Sequence, residues 1–364
     1  MTMGNKSGGK KQLSMKLMRE TADYVNPAIM RYLNYVRNGR SDVYGAVAHL
    51  PLVRLGKKMD APMLRPLLVR LGYEVCGGTD YLGIVPLCAA VELLNISTYV
   101  IDDIFDECDY RQKKETVHRI YGSNRAFIAG MLLRELGEKA LCDVENAVGG
   151  EDFAKIVRLF NDTHKTIYEG QFHDLDLNTF RDVGEGEYFT RTYEITGVFI
   201  ENCILLGAHA AGADEAMLKA LSEYGRNYGI AIQLRNDLLD FIPPQPEVAE
   251  KDIAESSGIK GESHVDFRQG KKTLPLIHFL ERASSEQQAI LKSFVGRKKL
   301  AREEALEVNR LLESTGSFEY AKQKVREYAA RALESLDAFD ENTAKSALAE
   351  LAVITDNVDK WKFV

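Results

Sequence analysis

The sequence has no CxxC pair, and its five cysteines (Cys76, Cys88, Cys108, Cys142, Cys203) are scattered and odd in number. That spacing suits neither a disulfide framework nor a zinc site, so a reducing compartment, the cytoplasm, is expected. No strand is followed by a glycine-rich phosphate loop, which excludes the usual nucleotide-binding fingerprints. No internal repeat or low-complexity linker divides the 364 residues. Basic charge is not in excess: 47 Lys and Arg stand against 54 Asp and Glu, a net charge of −7, which argues against nucleic acid as a main partner. A membrane-spanning run is missing as well, because the apolar stretch 198–213 is short and contains Glu201 and Asn202. Residues 1–12 are polar, rich in Lys and Gly and without an apolar h-region, so they read as a disordered tail rather than a signal peptide.

What is present is an ordinary globular composition, 45% hydrophobic and 28% charged, in a chain long enough to bury a substantial core. Leu, Ala, Ile and Val recur at three- and four-residue intervals, and few segments alternate. The nine prolines fall mostly between these runs, leaving room for a dozen or so helices. The spacing predicts an all-α single-domain helical bundle over 13–364, with its clearest helices at 67–76, 87–105, 125–144, 153–169, 188–211, 214–241, 274–282, 302–314 and 316–337. Pro243, Pro244 and Pro246 stop the helix that carries Asp240, and the polar residues after them read as a flap at about 243–265.

Two acidic clusters carry the chemistry. Asp102-Asp103-Ile104-Phe105-Asp106 closes an apolar helix, and Asn236-Asp237-Leu238-Leu239-Asp240 closes another. In each, the first and last oxygen-bearing side chains lie one helical turn apart on one face. Acidic residues at this spacing often form a plain solvated face. Here both clusters follow helices that read as buried, where uncompensated carboxylates are costly. Magnesium ions and a phosphorylated ligand between two facing clusters would compensate them.

Further motifs accompany the two clusters in order. The first cluster is followed by Arg111 and by Thr116-Val117-His118-Arg119-Ile120-Tyr121-Gly122. Gly170-Gln171 with Asp174-Leu175 forms a middle motif. Gln233-Leu234-Arg235 leads into the second cluster, with Asp266 and Gly270-Lys271-Lys272-Thr273-Leu274-Pro275 after it. Over about 60–351 these motifs resemble those of the trans-isoprenyl diphosphate synthases, the polyprenyl synthetase family, and the resemblance implies an isoprenoid-synthase bundle, commonly homodimeric, that ionises an allylic prenyl diphosphate with three Mg²⁺ held by Asp102, Asp106, Asn236 and Asp240. It implies that Asp103 and Asp237 support these ligands, that Arg111 and Lys271 clamp diphosphate oxygens, and that Gln171 orients metal waters or the carbocation end. Arg65, Asn95 and Gln233 join them as substrate-binding positions.

The departures from the pattern have a direction. A Gly-Gly-Lys-Arg-x-Arg-Pro segment that supplies cations for isopentenyl diphosphate in the family reads Asp60-Ala61-Pro62-Met63-Leu64-Arg65-Pro66, so only Arg65 survives. Asn95 stands for a His or Gln, Gln112 for the second of two arginines, and Ile195 for a Lys before Thr196. Lost charged contacts at 62 and 112, at about 1.5–3 kcal/mol each, would weaken a second diphosphate by very roughly 10²–10⁴-fold unless Lys57, Lys58, Lys113 or Lys114 restores the charge. Asn236 also moves the second cluster toward the class I terpene cyclases, whose later Ser and Glu ligands are replaced here by Asp240 and Pro244. Small Ser97 and Thr98 before the first cluster leave no bulky floor, which admits a chain of C20 or longer; the allylic substrate is expected within C15–C25. Tyr99, Phe172, Phe199 and Tyr228 are either plain core or rings facing a cation.

The favoured expectation is therefore Mg²⁺-dependent ionisation followed by cyclisation to a terpene or by transfer to an acceptor other than isopentenyl diphosphate. Elongation with isopentenyl diphosphate to a linear polyprenyl diphosphate is the alternative. A catalytically silent regulatory subunit is a third reading, weakened by the intact Asp102, Asp106, Arg111, Asp237, Asp240 and Lys271.

Overall fold

The computed structural model describes residues 13–37, 41–56, 63–112, 114–177, 183–242 and 263–358. It is all-α apart from one two-stranded hairpin, in agreement with the periodicity. The helices used below are α1 (Leu13–Arg37), α2 (Ser41–Leu55), α3 (Leu64–Val75), α4 (Val85–Phe105), α5 (Val117–Tyr121), α6 (Ser123–Cys142), α7 (Gly150–Leu177), α8 (Glu185–Thr192), α9 (Val198–Ala210) and α10 (Glu215–Leu239). The hairpin pairs β1 (Tyr110–Arg111) with β2 (Lys114–Glu115) in antiparallel register.

The chain forms two compact units. The first comprises Met1–Phe160, Cys203–Leu221 and Ala338–Leu351. Its centre is α4, which starts on a proline in its first turn and buries Leu87, Val91, Leu93, Leu94 and Ile96. Tyr81–Phe105 is the one stretch among the described residues long and apolar enough to cross a bilayer, with a mean hydropathy of 1.8, yet 72% of that window is buried inside the protein. The expectation of 198–213 as the apolar stretch to weigh gives way to this one. Close approach of α3 and α9 depends on two glycines. A Cβ on Gly72 would meet the Ile204 carbonyl oxygen at 2.1 Å, and one on Gly207 would meet that of Val69 at 1.9 Å.

The second unit comprises Asn161–Asn202, Ser222–Asp337 and Ala352–Val364. Its core gathers Leu234, Leu238, Phe241, Phe267, Leu274, Phe279, Leu312 and Phe318. Asn309 fastens the end of α10: its Nδ2 donates to the Phe241 carbonyl at 3.0 Å, and its Oδ1 lies 2.9 Å from His264 Nε2.

Three differences from the expected elements have physical causes. Helices α1 and α2 were not foreseen, and each contains a proline, Pro27 and Pro51. Interior proline costs about 3 kcal/mol, which burial of Leu17, Met18, Ile29 and Leu33 offsets in α1. The helix expected over 188–211 is interrupted by a π-helical turn, Tyr193–Gly197. The hairpin was unforeseen too, and residues with positive φ surround it, Glu107 at 49° and Gln112 at 50°. The expected tail at 1–12 and most of the expected flap, 243–262, lie outside the described residues; 263–265 lead into a short helix, Val265–Arg268.

Candidate active site

In the first unit the three aspartates sit at the C-terminal end of α4, where Asp106 is the capping residue and its N–H donates to the Asp102 carbonyl at 2.8 Å. Asp102 and Asp106 are half-buried, whereas Asp103 is 1% exposed. The difference follows from rotation along the helix, since Asp103 shares the stripe of Tyr99 and Glu92. Arg111 of β1 closes on Asp103 with Nη2 at 2.7 Å from Oδ1 and Nε at 2.9 and 3.1 Å from the two oxygens. Burial opposes the charge on Arg111, but Asp103 outweighs it and holds the guanidinium protonated. The fork expected for a diphosphate therefore commits two of its nitrogens to a carboxylate of the cluster itself.

Further up α4 the polar stripe continues. Glu92 is fully buried and accepts from Arg54 of α2, Nη2 at 2.6 Å and Nε at 3.0 Å. Asn95 Nδ2 donates to the other Glu92 oxygen at 3.3 Å, and its own Oδ1 is buried with no hydrogen bond among the described residues. Arg65 of α3 donates from Nη1 to the Tyr99 hydroxyl at 3.3 Å. Ser97 corrects an expectation: it is fully buried and donates to the Gly130 carbonyl of α6 at 2.8 Å, so it belongs to helix packing. Thr98 stays half-buried and donates back to the Asn95 carbonyl at 2.9 Å.

In the second unit Asn236, Asp237 and Asp240 lie at the C-terminal end of α10 and just beyond it. Asp237 is buried and doubly held: Tyr188 of α8 donates its hydroxyl at 2.6 Å, and Gln233 donates Nε2 at 2.8 Å. Gln233 accepts in turn from Thr196 Oγ1 at 2.7 Å. Burial pushes the Asp237 carboxyl up to about 6; the Tyr188 hydrogen bond pulls it down and the charge of Asp266 pushes it up again. Asp240 accepts the backbone N–H of Val265 at 2.7 Å and of Phe267 at 3.2 Å, one on each oxygen. Lys271, expected on a diphosphate, lies 3.4 Å from Asp266 and is 17% exposed at its side chain. Gln171, on α7, is half-buried. Of the aromatics, Phe199 and Tyr228 are core at 2% exposure, while Phe172 is 66% exposed and belongs to no core.

Among the described residues no three His, Cys, Asp or Glu side chains converge as a preformed metal cage. Magnesium does not require one: it keeps several waters and is held through one or two carboxylates plus substrate phosphates. A pair of half-buried carboxylates a turn apart, Asp102 and Asp106, fits that demand. Asp240 fits it as well, because a carboxylate oxygen that accepts one N–H retains a further lone pair.

Arg54, Glu92 and Tyr188 escaped the sequence reading. A lone charge inside an otherwise apolar helix was the available signal for the first two; Tyr188 offered none.

The polyprenyl synthetase family model matches residues 55–312. The geranylgeranyl diphosphate synthase of Saccharolobus solfataricus is 30% identical over 335 residues, 92% of this chain and 95% of that one. The crystal structure of the geranylgeranyl pyrophosphate synthetase from Pyrococcus horikoshii superposes with a TM-score of 0.82 at 28% identity, covering 94% of this chain and 98% of that one. The fold is also that of the Corynebacterium glutamicum geranylgeranyl pyrophosphate synthase complexed with isoprenyl diphosphate and magnesium, at a TM-score of 0.80, 23% identity and coverage of 93% and 99%. Taken with the two aspartate clusters and their ordered companions, these matches establish that the chain belongs to the polyprenyl synthetase family, enzymes that transfer prenyl groups.

Proposed function

We propose that this chain is a trans-prenyl diphosphate synthase that extends an allylic diphosphate with isopentenyl diphosphate. The observation that carries this reading is end-to-end likeness to synthases of linear prenyl diphosphates, with 92% of this chain matched to the relative from Saccharolobus solfataricus. Cyclisation or transfer to another acceptor, the expectation drawn from the thinned cationic cradle, is not supported by the relatives named above and gives way to elongation. Products of C20 to C25 suit the absence of a bulky side chain at Thr98.

In this reading Asp102 and Asp106 would hold magnesium, as would Asn236 and Asp240, and the metal would supply Lewis-acid neutralisation of the departing diphosphate. Asp103 keeps Arg111 beside the first pair. Tyr188 and Gln233 keep Asp237 oriented next to Asn236. Lys271 and Arg65 add charge toward the two diphosphates, and Gln171 orients water or the cationic end of the allyl group. The allylic C–O bond breaks, a C–C bond forms to the double bond of isopentenyl diphosphate, and a proton leaves. We place the reaction in the cytoplasm. The enzyme acts as a homodimer through the exposed apolar face of α6, where Phe127, Ile128 and Met131 are 44%, 54% and 47% exposed; Ile128→Lys should yield monomers in analytical ultracentrifugation.

The decisive assay incubates the purified chain with Mg²⁺ and farnesyl or geranylgeranyl diphosphate, with and without isopentenyl diphosphate, and identifies products by mass spectrometry. Longer diphosphates formed only with the second substrate are expected. Hydrocarbon or alcohol formed without it would restore cyclisation, and no product with either would favour a silent subunit.

A further inference from the structure

Three arginines from three separate segments of the first unit converge on one ring. The guanidinium carbon of Arg111, from β1, lies 4.6 Å from the Tyr99 ring centroid; that of Arg54, from α2, lies at 5.3 Å; that of Arg65, from α3, at 5.9 Å. Side chains so far apart in sequence meet here only because the fold brings them together. Guanidinium groups gathered this closely repel one another unless something between them carries negative potential. The Tyr99 ring faces supply it, and its hydroxyl accepts from Arg65. Glu92, seven residues before Tyr99, and Asp103, four after it, complete the stripe by pairing with Arg54 and Arg111.

Building on the elongation reading, we infer that Tyr99 is a positioning residue that holds Arg65 and Arg111 for diphosphate recognition and so compensates for the cations missing at 62 and 112. Tyr99 touches no reacting atom; it acts through the two arginines. The charge of Arg111 is already shared with Asp103; at Arg65 the ring presents charge-attracting surface without a counter-charge, so it fixes the guanidinium without neutralising it. A carboxylate in its place would neutralise that charge. The ring is half-buried and precedes Asp102 by less than one turn along α4, which sets both arginines beside the first cluster.

The test uses the full chain and four forms: wild type, Tyr99→Phe, Tyr99→Leu and Tyr99→Met. Inorganic pyrophosphate is titrated calorimetrically with Mg²⁺ present, and KM for isopentenyl diphosphate is measured separately from kcat. The two ringless variants are expected to lose about tenfold in pyrophosphate affinity and to raise KM about tenfold, with kcat changing less than about threefold. Tyr99→Phe, which keeps the ring, stays within about threefold of wild type on both. Folded ringless variants with wild-type pyrophosphate affinity, or a fall in kcat with KM unmoved, overturn the inference. So does failure of both ringless chains to fold, because Tyr99 is then a structural residue. A wild type that ignores isopentenyl diphosphate defeats the elongation reading alone, and the pyrophosphate titration still decides the role of Tyr99.

Discussion

Arg111 grips the buried Asp103 through contacts of 2.7 to 3.1 Å made by two nitrogens, while the neighbouring Asp102 stays half-buried. Adjacent carboxylates thereby have different roles. Asp103→Ala strands a buried cation, which costs about 3–5 kcal/mol and should lower the melting temperature by many degrees. Asp102→Ala, at a half-buried position, should leave the melting temperature within a few degrees and abolish turnover. Calorimetric melts of the two variants, set beside their activities, decide the matter; a strongly destabilised Asp102→Ala with a stable Asp103→Ala would reverse the assignment.

The Arg54–Glu92 pair is buried more deeply, at 8% and 0% side-chain exposure. Glu92→Ala should cost about 3–5 kcal/mol in urea unfolding, because Arg54 is left charged in the interior. The double replacement Arg54→Met with Glu92→Leu should recover most of that loss. A single variant as stable as wild type would show that the pair is not closed in solution.

Stability should also depend on pH through Asp237. Its carboxyl is raised by burial from the ordinary carboxylate range to about 6, so the folded chain holds its proton where the unfolded chain has released it. The contribution is complete below pH 4 and is lost as pH rises to about 6, on the order of 2–3 kcal/mol. Denaturant midpoints measured in chelator between pH 4 and 7 should fall over that window. Asp237→Asn, which does not titrate, should remove this component of the slope.

Product length should respond to Thr98. It occupies the position one turn before Asp102 and is half-buried, while Ser97 is turned into α6. Thr98→Phe should therefore shorten the product by at least one C5 unit, whereas Ser97→Phe should impair folding rather than shift length. Mass spectrometry of reaction products from both variants provides the check, and an unchanged product from a folded Thr98→Phe chain would remove Thr98 from the tunnel.

The two aspartate clusters were legible because their i, i+4 spacing follows helices whose apolar periodicity is plain. The α4 and α10 helices appear within two residues of the expected bounds for the same reason. The closure of Arg111 onto Asp103 was not legible. It depends on a hairpin entered through positive φ at Glu107, a conformation that glutamate rarely takes and that no pattern of apolar residues announces. Pro27 and Pro51 concealed α1 and α2, since tertiary burial rather than local propensity sustains those helices. Tyr188 belongs to a third kind of failure, an isolated residue brought to Asp237 across 49 positions of sequence.

The wide turn at Tyr193–Gly197 has a consequence for how this region tolerates change. It carries a surplus residue relative to an ordinary helix, and that surplus sets the azimuth at which Thr196 meets Gln233. Deleting one residue there would rewind the segment and swing everything downstream by about 100° around the axis. The hydroxyl would leave Gln233, and Asp237 would lose the far end of its tether although no residue near it had been altered.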